Sequence, residues 1–141
     1  MTKTFQQKVD AIKKSFSFFS TQEERYSALI EMGKKMSSFP EHLKTKETEV
    51  RGCQSNLYLH AECNDGKIFF TATSDALISA GLAAILIAAY NEEPPEVVLK
   101  SPPHFIHEIG IYASLSPNRS NGLNHIYLRM KQEALKCLMM R

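Results

Sequence analysis

No stretch of this chain is apolar for long enough to cross a bilayer. The longest apolar run, Ala76 to Tyr90, is interrupted by Ser79 and Gly81. It falls short of the roughly 20 apolar residues a spanning helix needs, so it reads as a buried helix. Blocks of one charge are missing too. There are 17 Lys and Arg against 15 Asp and Glu, a formal net charge of +2. The basic residues are scattered and not interleaved with aromatics, which argues against nucleic acid. Met1 to Lys14 mixes Lys, Gln and Asp with isolated apolar residues, so no secretory signal is expected. Cysteine is scarce: Cys53, Cys63 and Cys137. An odd number without an export signal argues against a disulfide framework and for a reducing, cytoplasmic compartment. No CxxC or matched Cys/His pair is present, which excludes an ordinary zinc site. The sequence has no repeats and no low-complexity tract.

What is present suits one globular domain spanning 1–141. Apolar residues make up 43% of the 141 and charged residues 23%, and a domain of this length buries roughly two-thirds of its unfolded surface. Phe5, Val9, Ile12, Phe16 and Phe19 recur at helical spacing. Ser20-Thr21-Gln22-Glu23 reads as a capping box with Ser20 as cap. A second helix follows, with Tyr26, Leu29, Ile30, Gly33 and Met36 near its inner face, and the two form a helical hairpin. Phe39 to Glu49 breaks the pattern as an exposed connection. Leu57, Leu59 and Ala61 alternate with Tyr58, His60 and Glu62, as in a half-buried strand. Asn64-Asp65-Gly66 is a turn, and Lys67 to Thr73 a second strand. Ser74-Asp75 can cap the apolar helix that runs to Tyr90, whose small residues allow close packing. Pro94-Pro95 starts a short helix, Ser101-Pro102 another that Gly110 stops, and Ser116-Pro117 the last. The stripe of this last helix is Leu123, Ile126, Tyr127, Met130, Ala134, Cys137 and Leu138. Helices flanking an antiparallel sheet built on one hairpin, around a central buried helix, define an α+β class.

Cys53 stands at a loop-to-strand junction within Val50-Arg51-Gly52-Cys53-Gln54-Ser55. Gly52 permits an unusual backbone angle or a close approach by another molecule, and Arg51 is a source of positive potential. Reactive cysteines are thiolates favoured by nearby cations. The residues alone leave two readings open, a reactive thiol or a small buried hydrophobe. Cys63 at a strand end and Cys137 on an apolar stripe have nothing nearby to activate them. They read as inert. His104 and His107 lack companion ligands and read as surface or satisfied residues, so no metal is expected.

Four segments, in order, resemble the SufE family of sulfur acceptors. Residues 24–33, Glu-Arg-Tyr-Ser-Ala-Leu-Ile-Glu-Met-Gly, resemble its second helix. Gly52-Cys53-Gln54-Ser55, with the Val-x-Gly-Cys lead-in, resembles its cysteine motif. Ser74-Asp75-Ala76 followed by Gly81-Leu82 resembles its Ser-Asp-Ala helix start. Arg119-Ser120-Asn121-Gly122-Leu123 resembles its Arg-x-x-Gly-Leu segment. The set covers about residues 20 to 130. There are departures. The family often has a Trp in the strand after the cysteine, where this chain has Leu57-Tyr58-Leu59. Met36-Ser37-Ser38-Phe39-Pro40 replaces a common Leu-Pro pair. These touch packing and partner contacts, not the thiol.

The resemblance implies a fold and a role. Cys53 would accept persulfide sulfur from a pyridoxal-phosphate cysteine desulfurase, stimulate that enzyme and deliver sulfur to an iron–sulfur assembly scaffold. The pyridoxal phosphate belongs to the partner, so this chain needs no cofactor and is not an enzyme by itself. A homodimer is compatible with the family. Gly52, Gln54 and Ser55 support the motif. Arg119 would supply positive potential or bind the desulfurase, and Asp75 either functions or caps its helix. The expectation includes an outward swing of Val50 to Ser55 at the partner. Three rivals stand beside this reading: a paralogous acceptor for another desulfurase, an iron–sulfur scaffold, and a cysteine hydrolase using His60 as base.

Overall fold

The computed structural model describes residues 3–52, 56–111 and 117–140, with side chains from residue 122 onward in the last segment. The order is α1 (Phe5–Ser17), α2 (Gln22–Lys34), a short 3-10 turn (Glu41–Leu43), β1 (Leu57–Asn64), β2 (Lys67–Ser74), α3 (Leu77–Tyr90), α4 (Pro95–Lys100), α5 (Phe105–Glu108) and α6 (Pro117–Met139). This is the α+β arrangement the sequence predicts. No helix among the described residues is long and apolar enough to cross a membrane.

Helix α1 buries Val9, Ile12 and Phe16, the expected stripe, and opens on a capping box between Thr4 and Gln7. The cap of α2 lies one residue later than the sequence suggested. Thr21, not Ser20, accepts from the amide of Glu24 at 3.1 Å. The Glu24 carboxylate in turn receives the backbone N–H and hydroxyl of both Ser20 and Thr21, at 3.0–3.1 Å. One oxygen gathering four donors holds that carboxyl below the usual glutamate range. Each of α1 and α2 finds its main helical partner in α3.

Helix α3 is the centre of the core, as its composition predicts. Leu82, Ile85, Leu86, Ala89 and Tyr90 are essentially inaccessible. Small residues let α2 cross it closely: a Cβ on Gly33 would lie 2.8 Å from the Gly81 backbone nitrogen. Tyr90 at the far end stacks between Phe5 and Tyr127, with ring centroids 5.0 and 5.7 Å away. Its hydroxyl donates to the Ser101 carbonyl at 2.5 Å. Helix α5 begins only at Phe105; Ser101-Pro102 leads into it and does not start it.

The two strands pair antiparallel, with Leu57 opposite Ser74 and Asn64 opposite Lys67. Asp65 and Gly66 take φ of 56° and 78°, the signs a two-residue type I′ hairpin requires. Leu57, Leu59, Phe70, Ala72 and Ile68 face the core. The same alternation puts Cys63, opposite Ile68, on the inward column.

That placement overturns one expectation. Cys63 is bridged to Cys137, with Cα atoms 5.8 Å apart across 74 residues of sequence, a separation suited to a disulfide. Counting cysteines argued against a bridge. The two periodicities override the count: Cys63 falls on the same side of β1 as Leu57 and Leu59, at its exposed end, and Cys137 faces inward on its helix. Cys137 is on the stripe of α6, and α6 packs against β1. The two are therefore not the unpaired residues expected.

Candidate functional site

Cys53, Gln54 and Ser55 lie outside the described residues, as do Ser116 and the side chain of Arg119. The frame that carries the motif is described on both sides. Before it, Thr48 to Val50 runs antiparallel to the start of β1. Val50 donates its amide to the Leu57 carbonyl at 2.8 Å, and Leu59 to that of Thr48 at 2.8 Å. Val50 is also buried, at 3% exposure. Residues 51–56 are therefore bounded on both sides by hydrogen-bonded feet.

Each foot has its own clamp. On the incoming side, Arg129 of α6 donates from Nη1 to the Glu49 carbonyl at 2.9 Å and from Nη2 to that of Glu47. The planar guanidinium suits two carbonyls that one ammonium could not hold in that geometry. Glu133, one turn further on, lies 3.9 Å from Arg129 Nε and 3.3 Å from Lys136. On the outgoing side, Asp75 accepts from the Asn56 backbone N–H at 3.1 Å and from its side-chain amide at 3.2 Å, while the Asp75 amide donates to the Asn56 carbonyl at 3.2 Å. This corrects the capping expectation. The cap position of α3 is Ala76, with no side-chain cap bond, and the Ser74 hydroxyl accepts from the Ala76 amide at 3.2 Å. The Asp75 carboxylate is engaged by Asn56 instead.

Gly52 takes the unusual backbone angle that the sequence allows, and the close approach it makes is to the chain's own His125. Its φ is +89°, and a Cβ built there would lie 2.5 Å from the His125 ring. His125 and Arg129 are one turn apart on α6, so one helix face supports the incoming half of the loop. A cavity of about 370 Å³ opens there, lined among others by Lys46, Arg51, Gly52, His125, Arg129 and Gln132. Among the described residues that line it, Glu49 is the one carboxylate beside Lys46, Arg51 and Arg129, so the lining is net positive. A second cavity of about 280 Å³ flanks the outgoing foot, beside Asn56, Tyr58 and Asp75.

His125, Arg129 and Lys46 were not singled out by the sequence. Helical spacing of 125, 129 and 132 beside the α6 stripe was a usable signal for a polar face. Nothing local said which loop that face would meet. His60 lies 3.3 Å from Glu62, two residues along the same strand. His104 is the first flanking residue of α5. Among the described residues no group of three or more His, Cys, Asp or Glu is placed to hold a metal.

The architecture is that of a known small α+β class. The fold matches the solution structure of a hypothetical protein from Thermus thermophilus with a TM-score of 0.78, at 26% identity, covering 94% of this chain and 96% of that one. Residues 10–134 match the model of the SufE family, described as an Fe-S metabolism associated domain. The chain belongs to the SufE family. Among its relatives, the sulfur acceptor protein CsdE of Escherichia coli is 32% identical, over 82% of this chain and 80% of that protein. The cysteine desulfuration protein SufE of Wigglesworthia glossinidia brevipalpis is 32% identical, over 97% and 95%. The SufE-like protein 1 of Arabidopsis thaliana, chloroplastic/mitochondrial, is 31% identical, and the match spans only 35% of it.

Proposed function

We propose that this protein is a sulfur acceptor of iron–sulfur metabolism and that Cys53 carries the sulfur. The observation that supports this most is the frame around the motif: two clamped feet, a positive-φ Gly52 and a cationic cavity lined by Gly52, the residue before Cys53 in sequence. The donor is a cysteine desulfurase holding a persulfide, and the pyridoxal phosphate is that enzyme's own. The Cys53 thiolate attacks the donor's terminal sulfur. The donor's S–S bond breaks, its thiolate leaves and takes a proton, and Cys53 becomes the persulfide. Lys46, Arg51 and Arg129 favour the anionic forms at each stage. The bonds of Val50 and Asn56 limit the outward swing to the residues between them, a shorter segment than Val50 to Ser55. Arg119 would add positive potential or contact the desulfurase. The sulfur passes next to an iron–sulfur scaffold.

Two rivals weaken on specific grounds. A scaffold needs several cysteine ligands, and the Cys63–Cys137 bridge leaves one. A hydrolase needs a histidine oriented by a third group; among the described residues no hydrogen bond orients the His125 ring, and His60 is engaged with Glu62. The test is sulfide release by a desulfurase with and without this protein. Stimulation by the wild type and none by Cys53→Ala supports the reading. Equal stimulation by both removes Cys53 from it. A stoichiometric cluster on anaerobic reconstitution would favour the scaffold.

A further inference from the structure

The two sulfurs outside the motif differ in access. Cys63 is exposed at the end of β1, whereas Cys137 is 4% exposed. A surface depression of about 170 Å³ opens over the bridge, lined by Cys63, Gly66, Lys67, Pro95, Cys137 and Met140. Lys67 and Asp65 both line it, so its charges balance, and its size admits a small thiol. Leu123, Ile126, Met130 and Ala134 of α6 are buried in the core ahead of the bridge, contacts that do not depend on the S–S bond.

We propose that Cys63–Cys137 is a thiol-exchange site, separate from Cys53, whose ligands are low-molecular-weight thiols and disulfides, and that exchange enters at Cys63. An incoming thiolate attacks Cys63 Sγ. The S–S bond breaks, and Cys137 leaves as a thiolate and takes a proton. A second thiol resolves the mixed disulfide, giving two cysteine thiols and one small-molecule disulfide. Oxidation by a small-molecule disulfide runs the same steps backwards. One consequence rests on the reading of Cys53 as the carrier. The chain has three cysteines, so the bridged form leaves Cys53 as the single free thiol. A free thiol can attack a persulfide at its inner sulfur, releasing hydrogen sulfide and leaving a disulfide. Bridging removes two such thiols.

The test uses the full-length protein with oxidised or reduced glutathione, alkylation under native and denaturing conditions, and peptide mapping. In oxidised glutathione we expect one alkylatable thiol, at Cys53, and a linked Cys63–Cys137 peptide pair. In reduced glutathione we expect three thiols on a protein that remains folded. Cys137→Ser should acquire glutathione at Cys63 at least ~10-fold faster than Cys63→Ser does at Cys137, because access governs exchange. Three free thiols in oxidised glutathione, a disulfide involving Cys53, or the opposite rate order would overturn the proposal. Cys53→Ala separates the two readings: it must keep the bridge whether or not Cys53 carries sulfur.

Discussion

The His125 ring lies against Gly52 so closely that a Cβ there would sit 2.5 Å from it, while Gly52 itself is at φ +89°. Two constraints thus meet at the residue before the motif cysteine. Gly52→Ala should lose stability on both counts, by about 1–3 kcal/mol. Adding His125→Ala should recover only the steric part. Urea denaturation of the four proteins in a double-mutant cycle measures this. Additive effects would show that the contact is not made.

Arg129 holds the incoming foot through two carbonyls. Arg129→Met should release it, and the reporter is the Leu59 amide, bonded to the Thr48 carbonyl. Its native-state hydrogen exchange should speed up by roughly tenfold or more. Arg129→Lys should fall in between. Unchanged exchange in the Met variant would mean that the strand pairing holds the foot alone.

Asp75 acts on Asn56, not on its own helix. Asp75→Ala should cost about 1 kcal/mol and expose the Asn56 amide. Protection of the Ala80 amide, which is bonded to the Ala76 carbonyl at 2.9 Å, should not change. Fraying at Ala80 would restore the helix-cap role.

Glu24 gives a pH signature. Its carboxyl is held below the usual range by the Ser20 hydroxyl first, then by the Ser20 backbone and by Thr21. A depressed value means the folded state binds the proton less readily than the unfolded chain. The stabilisation is therefore full above the ordinary glutamate value, about 4.3, and is lost as pH falls from there through the lowered value. Glu24→Gln should destabilise above that window and show a shallower loss of stability within it. Parallel wild-type and variant curves of melting temperature against pH would contradict this.

Much of this was legible in the sequence. The α1 stripe, the Asp65-Gly66 hairpin turn and the buried α3 follow from periodicity and turn chemistry, which are local. The α2 cap was misplaced by one residue because Ser20 and Thr21 both qualify, and only the geometry of Glu24 chooses between them. The Cys63–Cys137 bridge does not follow from an odd cysteine count; it follows from placement, since the alternation from Leu57 carried two residues past Ala61 reaches Cys63. Asp75, His125 and Arg129 differ in kind. Their partners Asn56, Gly52, Glu47 and Glu49 lie 19 to 82 positions away, and spacing along one element cannot show which loop a face will meet.

The most direct test of the sulfur-carrier account is an intact mass of the protein after incubation with a cysteine desulfurase and cysteine. One added sulfur is expected on the wild type and on the Cys63→Ala/Cys137→Ala double variant, and none on Cys53→Ala. Sulfur retained by Cys53→Ala, or mapped to Cys63 or Cys137 in the wild type, would contradict it.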